Sequence, residues 1–342
     1  MTPSSAQASP TLGLSARALV FLMVGVICFS VLTVYTQYVF LHTTDHVSGR
    51  PFRDLSLEDY RDTLEGRRPF PYQWRVAGAW IARAGELATG LDPHAIDLVV
   101  KTGALAGSAL FLLAFTARWA SPIATLLAGA LYFALTAAAY SSQGYSIYYT
   151  NDFLMVLGWF AAVYLASRGR YGLAAMAALL AAWAKETIVL VPMLAALAWW
   201  QGRASARAVW LCAAGVVIPE AILRTMYPAP LGDWAWWGAI TRNVPFLRPE
   251  REHVLLALRE NAKVLLLFNV FWVLAYRASR RTSEWFLRTL AIVGVAYLAM
   301  AYVVVYIREL RHFLPLAIVV IPLAMVEIDR VSRGLRLDAD TR

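Results

Sequence analysis

A carboxylate and two histidines stand together in the segment His42-Thr-Thr-Asp45-His46, immediately after the first apolar run of the chain. A carboxylate held against a low-dielectric surface can have a raised pKa and act as a general base. Two histidines four residues apart also share one face of a helix, which fits a metal site. An aspartate in a solvated loop is the commonest alternative to both. We take Asp45 as the candidate catalytic base.

A second group of reactive side chains lies near the other end of the chain, in Arg308-Glu309-Leu-Arg311-His312. Arg308 and Arg311 are one helical turn apart, so both guanidinium groups can address the same anion. Glu309 can orient one of them. Arginines at a membrane interface also extend toward water without binding anything, but the close grouping favours phosphate binding here.

Three further groups complete the candidates. Asp152 begins a predicted span, where it suits either an N-terminal helix cap worth about 1 kcal/mol or a contact to a substrate hydroxyl or metal. Lys185-Glu186 interrupts an apolar stretch; charges at membrane depth are costly and indicate function, and Lys185 suits a lipid phosphate. Trp236 lies between two other tryptophans, which either anchor the chain at the headgroup level or pack against a sugar ring.

Membrane-spanning helices must position these side chains, because the chain is too apolar for a soluble fold. Hydrophobic residues make up 60% of the 342 residues and charged residues 15%, against roughly 45–50% and 25% in soluble proteins. A helical span needs about 20 apolar residues, and the chain has about ten such runs, some of them short. The predicted spans are 18–41, 95–116, 123–140, 153–167, 171–184, 187–200, 208–225, 254–276, 286–306 and 313–328.

Arginines in the short loops orient these spans. With the N-terminus inside, the cytoplasmic loops hold most of them, which predicts that both termini are cytoplasmic. Residues 1–342 then form one membrane domain, with outer loops at 43–94 and 226–253 and a cytoplasmic tail at 329–342. All the candidate residues above fall on the outer side. The net charge of +9 is spread over the loops, so it reflects orientation and does not indicate a nucleic-acid partner.

The first outer loop contains two predicted surface helices. The polar segment 54–65 has helical character and Gly66 can end it. Residues 72–85 repeat apolar side chains at steps of three and four, as expected for a helix lying in the membrane interface. The fold class is therefore all-α: a polytopic membrane protein of about ten spans with interfacial helices in its first outer loop.

In this layout the chain resembles the GT-C superfamily of integral-membrane glycosyltransferases, which use polyprenyl-phosphate-linked sugars. The resemblance rests on the carboxylate in Thr44-Asp45-His46 outside the first span, the two outer-loop helices, and outer-face groups that match in kind. Those groups are Asp152, Ala184-Lys185-Glu186 and the segment from Arg308 to Pro315. The chain departs from the pattern at His46, where many members have a second acidic residue.

The resemblance implies an inverting transfer of a sugar from a polyprenyl phosphate to a hydroxyl of a glycan, lipid or protein acceptor. Asp45 would accept the hydroxyl proton, and Arg308, Arg311 and Lys185 would stabilise the leaving phosphate. The remaining substrate-binding candidates are His46, Asp152, Glu186, Trp236, Glu309 and His312. No cofactor is required, although a divalent cation is compatible. The reaction would take place at the periplasmic or outer face of the inner (plasma) membrane.

Other classes of membrane protein share part of this pattern. A transporter or lipid flippase also has many spans and intramembrane charges, but it typically has two repeated halves with broken helices, and we find no such repeat. A membrane metalloenzyme would use His42 and His46 with other outer histidines. A non-catalytic scaffold needs no clustered arginines.

Overall fold

The computed structural model describes residues 16–45, 48–67, 75–140, 146–228, 240–241, 243–244, 247, 251–304 and 309–340. This part of the chain consists of helices, turns and one isolated bridge between Thr44 and Pro51, in agreement with the predicted all-α class. Its α-helices are α1 (Ala16–Tyr38), α2 (Phe52–Leu64), α3 (Ala77–Thr89), α4 (Pro93–Thr116), α5 (Pro122–Tyr140), α6 (Thr150–Ser167), α7 (Tyr171–Ala182), α8 (Leu190–Trp200), α9 (Ala206–Met226), α10 (Arg251–Phe268), α11 (Val270–Arg281), α12 (Trp285–Val304) and α13 (Ala317–Asp340). Short 3-10 turns cover Val39–His42, Ile147–Tyr149, Glu186–Val189 and Leu310–Leu316.

Six of the described helices are long and apolar enough to cross a membrane: α1, α4, α5, α6, α9 and α12. The chain is therefore a multi-pass membrane protein by the length and composition of its helices. The structure supports six spans where the sequence predicts about ten.

The other four predicted spans differ in the structure for identifiable reasons. Helix α7 has 12 residues and is about 18 Å long, which is less than the hydrocarbon core of about 30 Å; α8 is shorter still. The predicted span 254–276 is divided at Asn269, whose φ of 44° interrupts the helix. The predicted span 313–328 begins in the 3-10 turn Leu310–Leu316 and continues into α13, which carries several charged residues.

Large apolar side chains cover the outside of the bundle. Phe21, Ile123, Leu180, Trp200 and Trp210 are each at least 70% exposed. Exposed apolar surface on this scale is unfavourable in water and favourable in lipid. The surface of the folded chain therefore fits a bilayer.

Inside the bundle, small residues bring helices close together. A Cβ atom placed on Gly215 of α9 would lie 2.6 Å from the carbonyl oxygen of Ala175 in α7. Close backbone approach at Gly and Ala is the usual way in which helices pack in membranes. Helix α7 lies against both α6 and α9, so it is packed on two sides before the connection to α8 begins.

The two ends of the bundle carry different groups. At one end, the Arg118 guanidinium donates to the Ser167 carbonyl at 2.6 Å, and Asp329 accepts from the Ser121 backbone at 2.8 Å. The short loops of this end hold Arg118, Arg168 and Arg203, and α11 ends there at Arg281; we call it the arginine-rich end. The other end holds the first outer loop and the three connections at 146–149, 183–189 and 309–316.

The two helices predicted for the first outer loop are present as α2 and α3. Helix α2 is followed by Gly66 in a left-handed conformation with φ of 69°. The described part of the second helix begins at Ala77, five residues after the predicted start. The Ser56 hydroxyl of α2 accepts from the Ile147 backbone at 3.1 Å, which joins the outer loop to the connection before α6.

Candidate functional site

Three buried charged side chains meet at the outer-loop end of the bundle. The Lys185 ammonium donates to Asp152 Oδ1 at 2.5 Å, and Arg311 Nη1 lies 3.2 Å from Asp152 Oδ2. None of the three residues is more than 6% exposed. They come from the first turn of α6, the α7–α8 connection and the turn before α13, so three separate segments of the chain build this site.

Asp152 does not cap its helix. Tyr149 occupies the N-cap position of α6 without a side-chain hydrogen bond, and Asp152 lies within the first turn. Of the two roles that the sequence leaves open for Asp152, capping is therefore wrong, and the carboxylate contacts two cations. Its position near the N-terminus of α6 still favours a negative charge.

The chain between α7 and α8 breaks its helix to place Lys185. Lys185 has an extended conformation (φ −166°, ψ 138°) just before the turn Glu186–Val189. The Trp183 carbonyl, freed by this break, accepts from the backbone N–H groups of Val76 and Ala77 at 3.2 and 3.1 Å. The first residues of α3 therefore hold the break in place.

The turn that carries Arg311 is also anchored on both sides. The Trp159 indole N–H donates to the Pro315 carbonyl at 3.0 Å, and the Tyr297 hydroxyl donates to the His312 carbonyl at 2.5 Å. The Arg311 guanidinium carbon lies 3.9 Å from the centre of the Tyr149 ring, a cation–π contact. These contacts hold the guanidinium in one orientation.

His312 connects two of the charged groups. Its Nδ1 lies 2.8 Å from the Lys185 ammonium, and its Nε2 lies 2.9 Å from Glu309 Oε2. Because an ammonium can only donate, Nδ1 accepts and Nε2–H donates to the carboxylate, so the imidazole is neutral. Burial and the neighbouring Lys185 charge lower the pKa of His312 to about 4.

Glu309 closes the cluster. Its Oε2 also accepts from Arg311 Nη2 at 2.7 Å. Burial alone would raise the pKa of Glu309, but the bonds to His312 and Arg311 hold it well below its usual range. We call Asp152, Lys185, Glu309, Arg311 and His312 the outer cluster. Its two cations are matched by two carboxylates, so its formal charge is zero.

A second ion pair lies beside the outer cluster and was missed in the sequence. The buried Arg75 binds both carboxylate oxygens of Glu186, with Nε 3.1 Å from Oε2. The Asn151 side chain donates to the Arg75 carbonyl at 2.9 Å. Glu186 thus pairs with Arg75 and not with its neighbour Lys185. Arg75 lies in the segment predicted to be an amphipathic surface helix, where an arginine is expected to face water, so nothing local points to Glu186 as its partner.

A third pair, also missed, lies inside α4. The Lys101 ammonium and Asp97 Oδ2 are 2.7 Å apart, and both side chains are fully buried. Lys101 also donates to the Ser146 carbonyl at 2.9 Å, and Asp97 accepts from the Thr150 hydroxyl. Opposite charges four residues apart within a predicted span were a usable signal for this pair.

Asp45 lies in a short turn that its side chain closes by bonding to Ser48. Its Oδ2 accepts from both the backbone N–H and the hydroxyl of Ser48 at 2.7 Å, and its side chain is half-buried. His42 ends the 3-10 turn Val39–His42, so no helix continues from His42 to Asp45. The preceding Leu41 packs in one apolar group with Ile147, which puts Asp45 at the same end of the bundle as the outer cluster.

Three predicted site residues, His46, Trp236 and Arg308, lie outside the described residues. The idea that Arg308 and Arg311 bind one anion stays a prediction, although Arg311 already contacts two carboxylates. Within the described part of the chain, no group of three or more His, Cys, Asp and Glu side chains is close enough to hold a metal ion.

Comparisons with known proteins yield no relative. No family model matches the chain, and neither a curated protein nor a solved structure is similar to it. The likeness to the GT-C superfamily therefore rests on layout, and a function must be argued from the site.

Proposed function

We propose that this protein is a membrane glycosyltransferase that moves a sugar from a polyprenyl-phosphate donor to an acceptor hydroxyl. The observation that supports this best is the outer cluster, in which Asp152 binds Lys185 and Arg311 at the end of the bundle that also presents Asp45. This end of the bundle thus offers one accessible carboxylate, that of Asp45, and a set of buried, fixed charges in the outer cluster.

The energetic cost of the outer cluster supports a functional role. Buried ion pairs are often no more stabilising than apolar residues of the same volume, since each charge must lose its water. Ionisable residues within membrane proteins accordingly mark substrate or ion sites. Fixed charges in a dry site also stabilise charge that develops during a reaction better than water does.

In the proposed reaction, Asp45 accepts the proton of the acceptor hydroxyl as the oxygen attacks the anomeric carbon of the sugar. The bond between that carbon and the phosphate oxygen breaks, and the polyprenyl phosphate leaves with both electrons. Arg308, Arg311 and Lys185 are the proposed partners of the departing phosphate. The half-buried position of Asp45 leaves its carboxylate accessible to an acceptor.

The proposed orientation puts the arginine-rich end in the cytoplasm and the outer cluster at the outer face of an inner (plasma) membrane, with both termini inside. In this arrangement the short helix α7 leads from the cytoplasmic side to the break at Lys185, and α8 leads back from the break toward the cytoplasmic side. A divalent cation is not part of the proposed mechanism, and activity that survives a chelator is the expected result.

A transfer assay tests the proposal. Purified protein in liposomes is given undecaprenyl-phosphate-linked sugars, and loss of the lipid-linked sugar is measured for wild type, Asp45→Asn and Asp54→Asn. Asp54 is an exposed carboxylate of the same loop and serves as the matched control. We expect wild type and Asp54→Asn to consume at least one donor and Asp45→Asn to be at least a hundredfold slower. Full activity in Asp45→Asn removes that residue as the base, and no turnover with any donor contradicts the proposed class.

A proton-coupled transporter is the second candidate, because buried charges extend from the outer cluster into α4. Thr150, two residues before Asp152, bonds to Asp97, which pairs with Lys101. Chains of buried ionisable groups carry protons in pumps and transporters. A pH-sensitive dye trapped in the same liposomes distinguishes the two: proton uptake on addition of a substrate, without sugar transfer, favours transport.

A further inference from the structure

A buried carboxylate on α10 binds two cations that are themselves exposed. Glu260 is 6% exposed; its Oε1 lies 3.0 Å from Arg259 Nη2 and its Oε2 lies 2.9 Å from the Lys263 ammonium. The Arg259 and Lys263 side chains are 66% and 45% exposed. Among the described residues, no second carboxylate lies within ion-pair distance of either cation. We call these three residues the α10 triad, and its formal charge is +1.

The exposed side of α10 is otherwise apolar around the two cations. Leu255 lies one turn before Arg259, and Leu266 lies one turn after Lys263. These leucines are 56% and 67% exposed. Because side chains three and four residues apart are neighbours on a helix surface, each cation has an exposed leucine beside it. Such a surface suits lipid tails better than water.

Hydrogen bonds to neighbouring segments place the α10 triad at the outer-loop end of the bundle. Asn261, which lies between the two cations in the sequence, accepts from the Tyr302 hydroxyl at 2.5 Å and donates to the Asn243 carbonyl at 3.0 Å. Tyr302 is two residues before Val304, where α12 ends. The 20 residues of α12 are about 30 Å long, the thickness of the hydrocarbon core. The triad therefore lies at the level where lipid headgroups begin.

Both cations can donate to a ligand while they hold Glu260. Arg259 uses Nε and Nη2 for the carboxylate, so its Nη1 group is available. The Lys263 ammonium donates to both carboxylate oxygens and has a third N–H. Since the two side chains are one turn apart, they can bind the oxygens of one phosphate together.

The charge of the α10 triad selects among lipid headgroups. A phosphodiester headgroup with a net charge of −1 neutralises the triad. A zwitterionic headgroup brings a cation of its own toward Arg259 and Lys263. A doubly charged phosphate monoester leaves an excess negative charge beside Glu260. An anionic phosphodiester lipid therefore complements the triad best.

We propose that Arg259 and Lys263 bind the phosphate of an anionic phospholipid in the outer leaflet, with the exposed leucines of α10 against its acyl chains. This site goes beyond the proposed function, because neither cation belongs to the outer cluster and lipid binding does not require sugar transfer. The competing explanation is that both cations only extend toward water.

The test measures dissociation constants for the full-length protein in a neutral detergent. The ligands are dioctanoyl phosphatidylglycerol, dioctanoyl phosphatidylcholine and inorganic phosphate. Wild type should bind the phosphatidylglycerol about fivefold more tightly than the phosphatidylcholine, which is the effect of one basic residue near a membrane surface. Inorganic phosphate should bind more weakly than the phosphatidylglycerol, because it makes no contact with the leucines.

Two variants change the charge of the α10 triad in opposite directions. Lys263→Gln keeps a hydrogen-bond donor for Glu260 and lowers the formal charge to zero, so it should bind phosphatidylglycerol about fivefold more weakly than wild type. Glu260→Gln raises the formal charge to +2 and should bind this lipid at least as tightly as wild type does.

Arg224→Gln is the matched control. Arg224 is 57% exposed and pairs with a single carboxylate, that of Glu220, so this pair has no excess charge. It lies at the same end of the bundle, since Tyr227 contacts Gly66 of the first outer loop. Arg224→Gln should bind phosphatidylglycerol as wild type does.

Four results overturn the proposal. Equal affinity of wild type for the two lipids, or unchanged phosphatidylglycerol binding by Lys263→Gln, would show that the cations only extend toward water. Weaker binding by Glu260→Gln would show that charge does not select the lipid. Inorganic phosphate that binds as tightly as the phosphatidylglycerol would make this a site for free phosphate and not for a lipid.

Discussion

The two ends of the bundle use the same residue types in opposite ways. At the arginine-rich end, the carboxylate of Glu327 is 1% exposed and lies within ion-pair distance of Arg277, Arg281 and Arg330, which are about half exposed. At the outer-loop end, Asp152 meets Lys185 and Arg311, and all three are buried. The first arrangement keeps its cations in contact with water, and the second removes them from it.

This difference matches the two roles that we propose: orientation in the membrane at the arginine-rich end, and function at the outer-loop end. Half-exposed arginines keep most of their hydration, so they contribute modestly to stability, and in the proposed orientation they face the cytoplasm. The buried charges of the outer cluster have lost that hydration and depend on their partners. Removing one partner should therefore be severe at the outer-loop end and mild at the arginine-rich end.

The largest effect is expected for Asp152→Ala. It leaves Lys185 and Arg311 buried without their shared carboxylate, which should lower the free energy of unfolding by about 3–5 kcal/mol. The midpoint of thermal unfolding in detergent measures the change. The double variant Asp152→Ala with Lys185→Met should recover part of the loss; no recovery would mean that Lys185 does not depend on Asp152.

Lys101→Met should be nearly as severe. It leaves the fully buried Asp97 without its cation, at a cost of about 3 kcal/mol. Replacing the whole pair, Lys101→Met with Asp97→Leu, should restore most of the unfolding midpoint if the pair is only structural. If stability returns but activity does not, the pair takes part in function.

The outer cluster should also weaken as pH falls. His312 has its pKa lowered from 6.5 to about 4, so below pH 6.5 the unfolded chain binds a proton that the folded protein does not. The stability that comes from His312 is complete above pH 6.5 and falls by about 1–3 kcal/mol as pH approaches 4. Unfolding midpoints measured between pH 4 and 7 test this. A His312→Asn protein with the same slope as wild type would contradict it.

The smallest effect is expected at the arginine-rich end. Arg330→Gln removes one of three arginines around Glu327 and should change stability by less than about 1 kcal/mol. Sugar transfer should stay at the wild-type rate. An unfolding midpoint that falls as far as that of Asp152→Ala would erase the contrast between the two ends.

The sequence predicts which residues belong to the outer cluster better than it predicts which of them contact one another. Lys185 stands out because a charge inside an apolar run is costly, whatever its contacts are. Its partners Asp152 and His312 are 33 and 127 residues away in the chain, and only the packing of α6, α7 and the turn before α13 brings them together. The pairing of Glu186 with Arg75 depends on α3 lying against the break after α7, which no local pattern encodes.

The span count shows a similar limit. The apolar runs and the interruption at Lys185-Glu186 locate α7 and α8 to within a few residues, but counting both runs as spans overlooks that the two helices are too short to cross the hydrocarbon core. Nor does apolar content reveal the break at Asn269, a non-glycine residue with a positive φ. Asp97 and Lys101 are a different case, because their spacing within a predicted span was readable from the sequence.

The central claim is that the outer cluster has a functional role. The most direct test compares, in one sugar-transfer assay, the same substitution at each end of the bundle. Arg311→Lys keeps the charge but loses the guanidinium geometry, and Arg281→Lys makes the same change beside Glu327. With undecaprenyl-phosphate-linked sugars in liposomes, we expect Arg311→Lys to lose at least a hundredfold in rate and Arg281→Lys to stay within twofold of wild type. Equal rates for the two folded variants would contradict a functional role for the outer cluster.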